Sequence, residues 1–489
     1  MKTNLERQTI LAPFKIILLI VLAAQIAVSS ALLINRVSSK VLMDESWHMQ
    51  YYTQFAQGGH CYYPAEDLKR TYDGYTPFAS QLFGWGIRYI ANDIRIVRAI
   101  AGMFGVGAII LVGLITLSLT GIRWFALVAA ALSCAIEPLW FMDVGPNTIH
   151  VFFALLGLWL LIRDPTLSTR TVALAMTSFF LCYWTKQTGI AYIAAGLFYC
   201  LLKSPKKAAA AFAATATVIT LTIWWYEAKP DSRFIYLVFK WAQNQPIIWS
   251  RLWDQLLPLF SGQFGILLSL TVAGLCMTRS WKEFFHSPQN IFLGTAGLAG
   301  AYAACKYGSG LSQLWFFMSI LIICGCTTCA RIKEQATFHN GFMLSLLLVQ
   351  ALALARDPRP YWVTTEDTKR YNGILNILKT PDKETYYINS GYLNMILGKN
   401  YYANVGHDCW WEKTYRRDMY PKTWAKLLET NPWDIVIIDI PLEDGSFMLY
   451  EMLNRSYKAV AEIPADNNYP QAGRLRFKKI IFEKKPSEP

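Results

Sequence analysis

Long apolar segments separated by short polar connections fill the first 355 residues of the chain. The first, residues 16–34, carries Gln25 as its one amide or charged side chain. It has about the 20 residues that a helix needs to cross a hydrocarbon core. Ten similar segments follow, at residues 97–119, 124–142, 148–162, 171–188, 190–202, 208–226, 256–277, 290–304, 311–330 and 340–355. The pattern predicts a polytopic α-helical membrane protein with about 11 transmembrane helices.

Lysine and arginine side chains lie on alternate connections between these segments. Beyond the basic N-terminal tail they are Arg123, Arg163, Arg170, Lys203, Lys206, Lys207, Arg279, Lys282, Arg331 and Lys333. Connections rich in Lys and Arg are cytoplasmic under the positive-inside rule. An odd number of spans then places the N-terminus in the cytoplasm and residues 356–489 on the outer side.

Two connections on the predicted outer side are longer than a helix pair needs. The first outer loop covers residues 36–96 and the second covers residues 227–255. Both carry apolar and aromatic side chains at helical spacing, a pattern typical of short helices that lie in the membrane interface.

Residues 356–489 have a different pattern from the membrane domain of residues 1–355. Buried strands are predicted in "ETYYINSG" and "WDIVIIDI" and a late strand in "GRLRFKKIIFEK", with helices in "DTKRYNGILNIL" and "YPKTWAKLLETN". The alternation predicts a small α/β domain on the outer side of the membrane.

The distribution of charged residues along the chain limits which kinds of partner it can bind. The formal charge is +13, but residues 356–489 hold 20 Lys and Arg against 18 Asp and Glu, so most of the excess belongs to the membrane domain. A nucleic-acid partner needs a basic face on a soluble domain, which the nearly balanced outer domain does not offer. We therefore expect membrane lipids and no nucleic acid among the partners.

The cysteines are interpreted mainly as packing residues. Cys324, Cys326 and Cys329 stand close together, but no fourth ligand for a metal is apparent, and small residues are common at helix contacts in membranes. Cys61 and Cys409 are both predicted to face outward, where a disulfide is chemically allowed. The sequence does not determine whether they pair.

The segment "LMDESWHMQYY" places two carboxylates and a histidine just beyond the first apolar segment. In a helix, Asp44 and Glu45 would each share a face with His48. Three interpretations compete: half of a metal site through the Glu-x-x-His spacing, a solvated helix start capped by Asp44, and a general base at the membrane surface.

At this point the chain resembles the GT-C superfamily of glycosyltransferases, which use polyprenyl-phosphate-linked sugars and include the aminoarabinose transferase of lipid A. "MDESWHMQ" at 43–50 is similar to the Met-Asp-Glu…His…Gln segment of the eukaryotic dolichyl-phosphate-glucose glucosyltransferase. "YWTKQTGIAYIAAGLFYCLLKSPKK" at 183–207 looks like the Lys/Arg-Gln-Thr segment of that enzyme and of bacterial relatives, and "KYGSGLSQLWF" at 306–316 is similar to a late loop in the bacterial group.

The resemblance implies an inverting transfer at the membrane surface. Asp44 would accept the proton of the attacking hydroxyl and, with Glu45 beside it, stabilise an oxocarbenium-like transition state. Lys186, followed by Gln187, would stabilise the leaving polyprenyl phosphate. His48 would assist at the substrate. Some members of the superfamily use a divalent metal and others do not, so a metal cofactor is left open.

Other polar residues are candidates for substrate binding. Arg95, Arg98 and Lys306 join Lys186 as cations at the outer surface, a group suited to an anionic lipid headgroup, although Lys186 could also extend outward to water. Three further residues could orient an acceptor or line a sugar site, or could merely cap helices and form a turn: Asp143, Tyr72 and Asp73.

The sequence thus predicts a GT-C type enzyme of a bacterial inner membrane that transfers a monosaccharide from a polyprenyl-phosphate donor to a cell-envelope glycan or glycolipid acceptor. Two alternatives stay open. One is a transporter or flippase, against which the lack of two repeated halves argues. The other is a glycan ligase or polymerase that uses a diphosphate-linked donor.

Overall fold

The structure is a computed structural model of the chain of 489 residues. It describes residues 2–42, 45–63, 74–136, 143–241, 247–278, 280–306, 311–335, 340–355, 357–387, 391–397, 433–440, 453–454, 456–465 and 478–485. The predicted helix at 420–431 and Cys409 lie outside these residues.

The described part of the first 355 residues is mainly helical. Its helices are α1 (Lys2–Ser38), α2 (Ser46–Ala56), α3 (Phe78–Tyr89), α4 (Ile94–Thr120), α5 (Arg123–Cys134), α6 (Asn147–Arg163), α7 (Thr169–Thr185), α8 (Ile190–Lys203), α9 (Pro205–Glu227), α10 (Leu257–Ser261), α11 (Gly265–Cys276), α12 (Trp281–His286), α13 (Pro288–Cys305), α14 (Trp315–Gln335) and α15 (Asn340–Leu354). Short 3-10 helices (Gln187–Gly189, Leu311–Leu314) and π-helices (Tyr236–Trp241, Leu252–Leu256) connect some of them.

Local signals set several helix ends. The Asp93 side chain accepts a hydrogen bond from the backbone N–H of Arg95 and caps α4, which ends at Gly121 in the left-handed region at φ 68°. Pro205 stands in the first turn of α9, where its missing N–H costs nothing.

Helix lengths identify membrane-crossing candidates. Among the described residues, four helices are long and apolar enough to cross a membrane, namely Lys15–Ser38, Ile94–Thr120, Pro205–Glu227 and Leu311–Ile332. A further pair, Leu252–Ser261 and Gly265–Cys276, would qualify together but is bent by 80°. Each predicted apolar segment overlaps a helix, yet the count of about 11 spans stays a prediction.

Helix α14 is central to the bundle, whereas α9 is peripheral. Along their most apolar windows, 89% of the α14 residues are buried and 11% of the α9 residues are. Close contacts surround α14: a Cβ on Gly325 would lie 2.7 Å from Leu267 Cδ2 of α11. Cys326 and Cys329 are fully buried there. In the described part of the chain, no three His, Cys, Asp or Glu side chains are grouped to hold a metal, so these thiols pack between helices.

The described residues after 355 form a helix-flanked sheet. Its elements are α16 (Thr365–Leu378), β1 (Thr385–Tyr387), α17 (Gly391–Ile396), β2 (Ile435–Ile440), β3 (Tyr457–Ile463) and β4 (Lys478–Lys484). The strand order is β1-β2-β4-β3, with β1 parallel to β2 and the other pairs antiparallel. The sequence patterns predicted β1, β2, β4 and α16 but missed β3 and α17.

This C-terminal unit lies against the end of the bundle where α1 ends. The Asn35 side chain donates to the backbone oxygen of Val363 at 3.1 Å and accepts from the Val363 N–H at 2.8 Å. Helix α17 packs on α2. These contacts place the unit beside the segment that carries Glu45.

Candidate functional site

Several candidate residues meet where α1 and α7 end and α4, α6 and α8 begin; we call this region the site end of the bundle. Helix α2 crosses it and starts one residue after Glu45. Glu45 and His48 are both buried. Glu45 lies in this region because the polar connection after α1 carries it, and the short, aromatic helix α2 follows directly.

Glu45 is held by two arginines. Its Oε1 accepts hydrogen bonds from Arg36 Nη2 at 2.5 Å and from Arg98 Nη2 at 2.6 Å and Nε at 3.0 Å. All three side chains are buried. The two guanidinium groups place opposite charge on both sides of the carboxylate, which offsets part of its loss of hydration.

Arg98 uses every donor it has. Besides its two hydrogen bonds to Glu45, it donates from Nη1 to the backbone oxygens of Arg36 and Ser39 and from Nη2 to that of Val41, each at 2.9 Å. A guanidinium carries five N–H groups, and these five hydrogen bonds account for all of them. Arg98 therefore fixes the backbone that leads from α1 to Glu45.

Helix α2 also contacts the connection before α6. The Tyr52 hydroxyl donates to the backbone oxygen of Val144 at 2.5 Å, and the His48 ring stacks on Tyr52 with centroids 5.9 Å apart. A Cβ on Gly145 would lie 3.0 Å from Asp143 Oδ2 and 3.3 Å from His48 Nε2. The loop at 143–146 thus joins the Glu45 side of the site to α6.

Asp143 is a half-buried carboxylate in this loop, outside the helices. It accepts hydrogen bonds from the Gly145 N–H at 3.1 Å and from Asn147 Nδ2 at 2.9 Å. Burial raises the pKa of Asp143 above its ordinary value, against the opposing effect of those hydrogen bonds and of the Lys186 charge.

Lys186 lies at a break between α7 and α8. Helix α7 ends at Thr185, Lys186 is extended at φ −157° and ψ 135°, and a 3-10 turn then leads into α8. Gly189 permits the break, because a Cβ there would lie 2.4 Å from the backbone nitrogen of Tyr183. The break directs the first turn of α8 and the Lys186 side chain toward α6.

The hydrogen-bond partner of the Lys186 ammonium is neutral. Nζ donates to Asn147 Oδ1 at 2.5 Å and lies 5.7 Å from the centroid of the Tyr75 ring. No carboxylate among the described residues lies within ion-pair distance of it. A buried cation beside a neutral amide is suited to an anionic ligand.

Gln187 connects two loops to this break. Its side-chain amide donates to the backbone oxygen of Gly74 and to that of Val238, the latter at 2.9 Å. The Thr76 hydroxyl donates to the backbone oxygen of Tyr183 at 2.8 Å. The loops that precede α3 and follow α9 are therefore both held at the break.

Two predicted cations lie in other surroundings. Arg95 pairs with Asp93 at 2.7 Å and its side chain is 42% exposed. Lys306 lies at the end of α13, 5.0 Å from the Tyr302 ring centroid, and its backbone oxygen accepts from Arg251 at 2.8 Å. The structure joins neither side chain to the contacts of Lys186 or Glu45 described above.

Three sequence candidates, Asp44, Tyr72 and Asp73, lie outside the described residues. Cys61 is buried, and its thiol donates to the backbone oxygen of Tyr51 at 3.3 Å. Whether it pairs with Cys409, which the sequence left open, is not tested because Cys409 lies outside the described residues.

Sequence reasoning missed two residues that the structure places at the centre of the site. Asn147 connects Asp143 to Lys186, and Arg36 shares Glu45 with Arg98. A signal existed for Asn147, because it opens the predicted helix immediately after "DVGP". In the sequence, Arg36 is an ordinary basic residue near the end of a helix. Its hydrogen bond to Glu45 is seen only in the fold.

Comparisons with solved structures identify the fold. ArnT from Cupriavidus metallidurans in the apo state is 13% identical, with a TM-score of 0.56 over 94% of this chain and 97% of that one. An Archaeoglobus fulgidus oligosaccharyltransferase in complex with zinc and sulfate is 14% identical, with a TM-score of 0.53 over 88% and 69%. Arabinofuranosyltransferase AftD from Mycobacteria is 14% identical, with a TM-score of 0.52 over 96% and 40%.

These likenesses confirm the GT-C resemblance at the level of the fold. The chain has the helical fold of these membrane glycosyltransferases, and four of its described helices are long and apolar enough to cross a membrane. No protein-family model matches the sequence, and no curated protein does either.

Proposed function

We propose that the chain is an inverting glycosyltransferase that moves a monosaccharide from a polyprenyl-phosphate carrier to a hydroxyl of a cell-envelope glycan or glycolipid. The reaction takes place on the outer face of a bacterial inner membrane. The N-terminus is cytoplasmic, and a periplasmic α/β domain follows residue 355. A second structure of ArnT from Cupriavidus metallidurans, with a TM-score of 0.54, contains undecaprenyl phosphate, which supports a lipid phosphate as the carrier.

The observation that carries the proposal is the Lys186 ammonium. It is 4% exposed, and among the described residues its hydrogen-bond partner is the neutral side chain of Asn147. An uncompensated buried charge is unfavourable unless a ligand offsets it. The N–H groups at the start of the turn before α8 add partial positive charge in the same place. A phosphate monoester or diester anion supplies the matching charge.

The proposed reaction is a single displacement at the anomeric carbon. The acceptor oxygen forms a bond to C1 as the bond from C1 to the phosphate oxygen breaks, which inverts C1. Asp44 takes the proton of the acceptor hydroxyl. The leaving phosphate receives the bonding electron pair, and the Lys186 charge stabilises it. Asp143 orients the acceptor hydroxyl.

We assign Glu45 and Arg98 to positioning Asp44, because Glu45 Oε1 accepts from both arginines and the five N–H groups of Arg98 are all used. His48 connects this segment to the loop of Asp143. The divalent-metal hypothesis for Glu45 and His48 stays open.

The remaining candidates contact more distant parts of the substrates. Tyr72 and Asp73 line the sugar site, near the loop that Gln187 holds. Arg95 and Lys306 interact with anionic lipid headgroups at the surface of the membrane.

Reconstituted protein tests the function directly. With a polyprenyl-phosphate-linked sugar and a cell-envelope extract as acceptor, we expect the wild-type protein to release free polyprenyl phosphate. Asp44→Asn should abolish release while membrane insertion stays normal, because an amide cannot take the proton. Asp164→Asn, in the connection between α6 and α7, is the matched control and should retain activity.

Other outcomes identify the alternatives. Movement of the lipid across the bilayer without release of polyprenyl phosphate would indicate a flippase or transporter. Release of polyprenyl diphosphate from a diphosphate-linked donor would indicate a ligase or polymerase. Normal turnover by Asp44→Asn would remove Asp44 as the base.

A further inference from the structure

His150 is a buried histidine in α6 that the proposed reaction does not use. It lies one turn after Asn147 on the same helix, so the two side chains project from neighbouring positions on one face. Asn147 holds the Lys186 ammonium. His150 contacts residues that precede and follow Lys186 in the chain.

One imidazole ring contacts three successive segments of the α7–α8 break. Its Nδ1 lies 3.2 Å from the backbone oxygen of Cys182 in the last turn of α7 and 3.2 Å from the Cys182 sulfur. Its Nε2 lies 3.4 Å from the Thr188 hydroxyl in the 3-10 turn. The ring also packs on Tyr192 in the first turn of α8, with centroids 5.5 Å apart.

These partners define which nitrogen carries the hydrogen. A carbonyl oxygen can only accept, so in the neutral ring Nδ1 donates to Cys182 and Nε2 accepts from the Thr188 hydroxyl. The same Cys182 oxygen accepts from the Lys186 N–H at 3.0 Å. The ring therefore shares an acceptor with the backbone of Lys186 and binds the turn that follows it.

A helix break needs such contacts to keep one geometry. Lys186 has left the helical conformation, and the extended residue by itself does not set the angle between α7 and α8. His150 and Asn147 both belong to α6. When His150 holds Cys182 and Thr188 against this helix, it also fixes the position of the Lys186 ammonium relative to Asn147.

We infer that His150 is a positioning residue, which fixes the α7–α8 break so that Lys186 and the first turn of α8 together face the lipid phosphate. This inference rests on the proposed function and adds a residue that acts through Lys186 without touching the substrate. Its loss should impair the donor side of the reaction and leave the acceptor side unaffected.

Two substitutions separate the hydrogen bonds of His150 from its packing. His150→Phe keeps the ring against Tyr192 and removes both hydrogen bonds, whereas His150→Asn keeps a donor near the position of Nδ1. With undecaprenyl phosphate as the probe, we expect His150→Phe to weaken binding by about ten-fold, as two lost hydrogen bonds would suggest. The KM for the donor should rise while the KM for the acceptor stays constant, and His150→Asn should recover most of the affinity.

Thr188→Val is the second test, and it carries the inference if His150→Phe fails to insert. It removes the Thr188 hydroxyl, which lies in the 3-10 turn and contacts His150 Nε2. We expect undecaprenyl phosphate to bind roughly three-fold more weakly, because one hydrogen bond is lost. Cys200→Ala, a buried cysteine on α8 that is not among the contacts of His150, is the matched control and should bind like the wild type.

The outcomes distinguish this inference from the proposed function. If the wild-type protein binds no polyprenyl phosphate, the proposed function fails. If the wild type binds and Lys186→Met does not, but His150→Phe and Thr188→Val bind like the wild type, the positioning inference fails alone. An equal rise in both KM values would also overturn it, because that result indicates a general structural role.

Discussion

Arg98 and Lys186 are both buried cations at the site end of the bundle, but their surroundings are opposite. Arg98 is 1% exposed and donates to the Glu45 carboxylate and to three backbone oxygens. Lys186 is 4% exposed and donates to one neutral amide. The first charge is in direct contact with a carboxylate, whereas the second has no carboxylate within ion-pair distance among the described residues.

The difference separates a structural role from a binding role. Removing a guanidinium from water is unfavourable. Arg98 makes five hydrogen bonds that offset this cost, and two of them go to the Glu45 carboxylate. The Lys186 ammonium is a compact charge with spare donor capacity, the state that suits an incoming anion. The comparison predicts that mutations at the two positions affect different quantities.

Arg98→Met gives the largest expected effect, on stability. It removes one of the two arginines that Glu45 contacts, and it removes the guanidinium donor from the backbone oxygens of Arg36, Ser39 and Val41. We expect the free energy of unfolding to fall by about 3–5 kcal/mol, as for other broken buried ion pairs. Denaturation of the purified protein in mixed micelles measures it.

The control for this experiment is Arg95→Met, which breaks an ion pair with a half-exposed guanidinium and should change stability little. Unchanged stability of Arg98→Met, together with loss of phosphate binding, would reverse the roles that we assign to the two cations.

Lys186→Met should change binding and leave stability intact. Because the substitution removes a buried charge without a direct carboxylate partner, the free energy of unfolding should stay the same or rise. Affinity for undecaprenyl phosphate should fall about 100-fold, as expected when a charge-assisted contact to a phosphate is lost. Isothermal binding measurements in detergent would show it.

Lys203→Met is the matched control, because Lys203 is the last residue of α8 and lies at the opposite end of that helix from the break. Equal loss of affinity in the two variants would mean that general positive charge, and not the Lys186 site, attracts the lipid.

Much of the membrane fold follows from sequence, because long apolar runs allow few alternatives to helices. Lys186 was recognisable as an expensive charge at the edge of an apolar segment. The five hydrogen bonds of Arg98 were not recognisable from the sequence. Their acceptors lie at the end of α1 and in the connection that follows it, and a sequence does not show which backbone oxygens there lack a partner within a helix.

The C-terminal sheet shows a different limit. Strand β2 reads "IVIIDI" and is apolar enough to recognise, whereas β3 reads "YKAVAEI" and is exposed along most of its length. An exposed edge strand lacks the apolar run that identifies a buried one. Asn147 was missed for a related reason: an amide near a helix start is usually a simple cap.

A structure with bound undecaprenyl phosphate tests the central claim most directly. We predict that a phosphate oxygen lies within hydrogen-bond distance of Lys186 Nζ while Arg98 keeps its contacts with Glu45. A phosphate bound to Arg98 with Glu45 displaced, or bound elsewhere while Lys186 still donates to Asn147, would contradict the account.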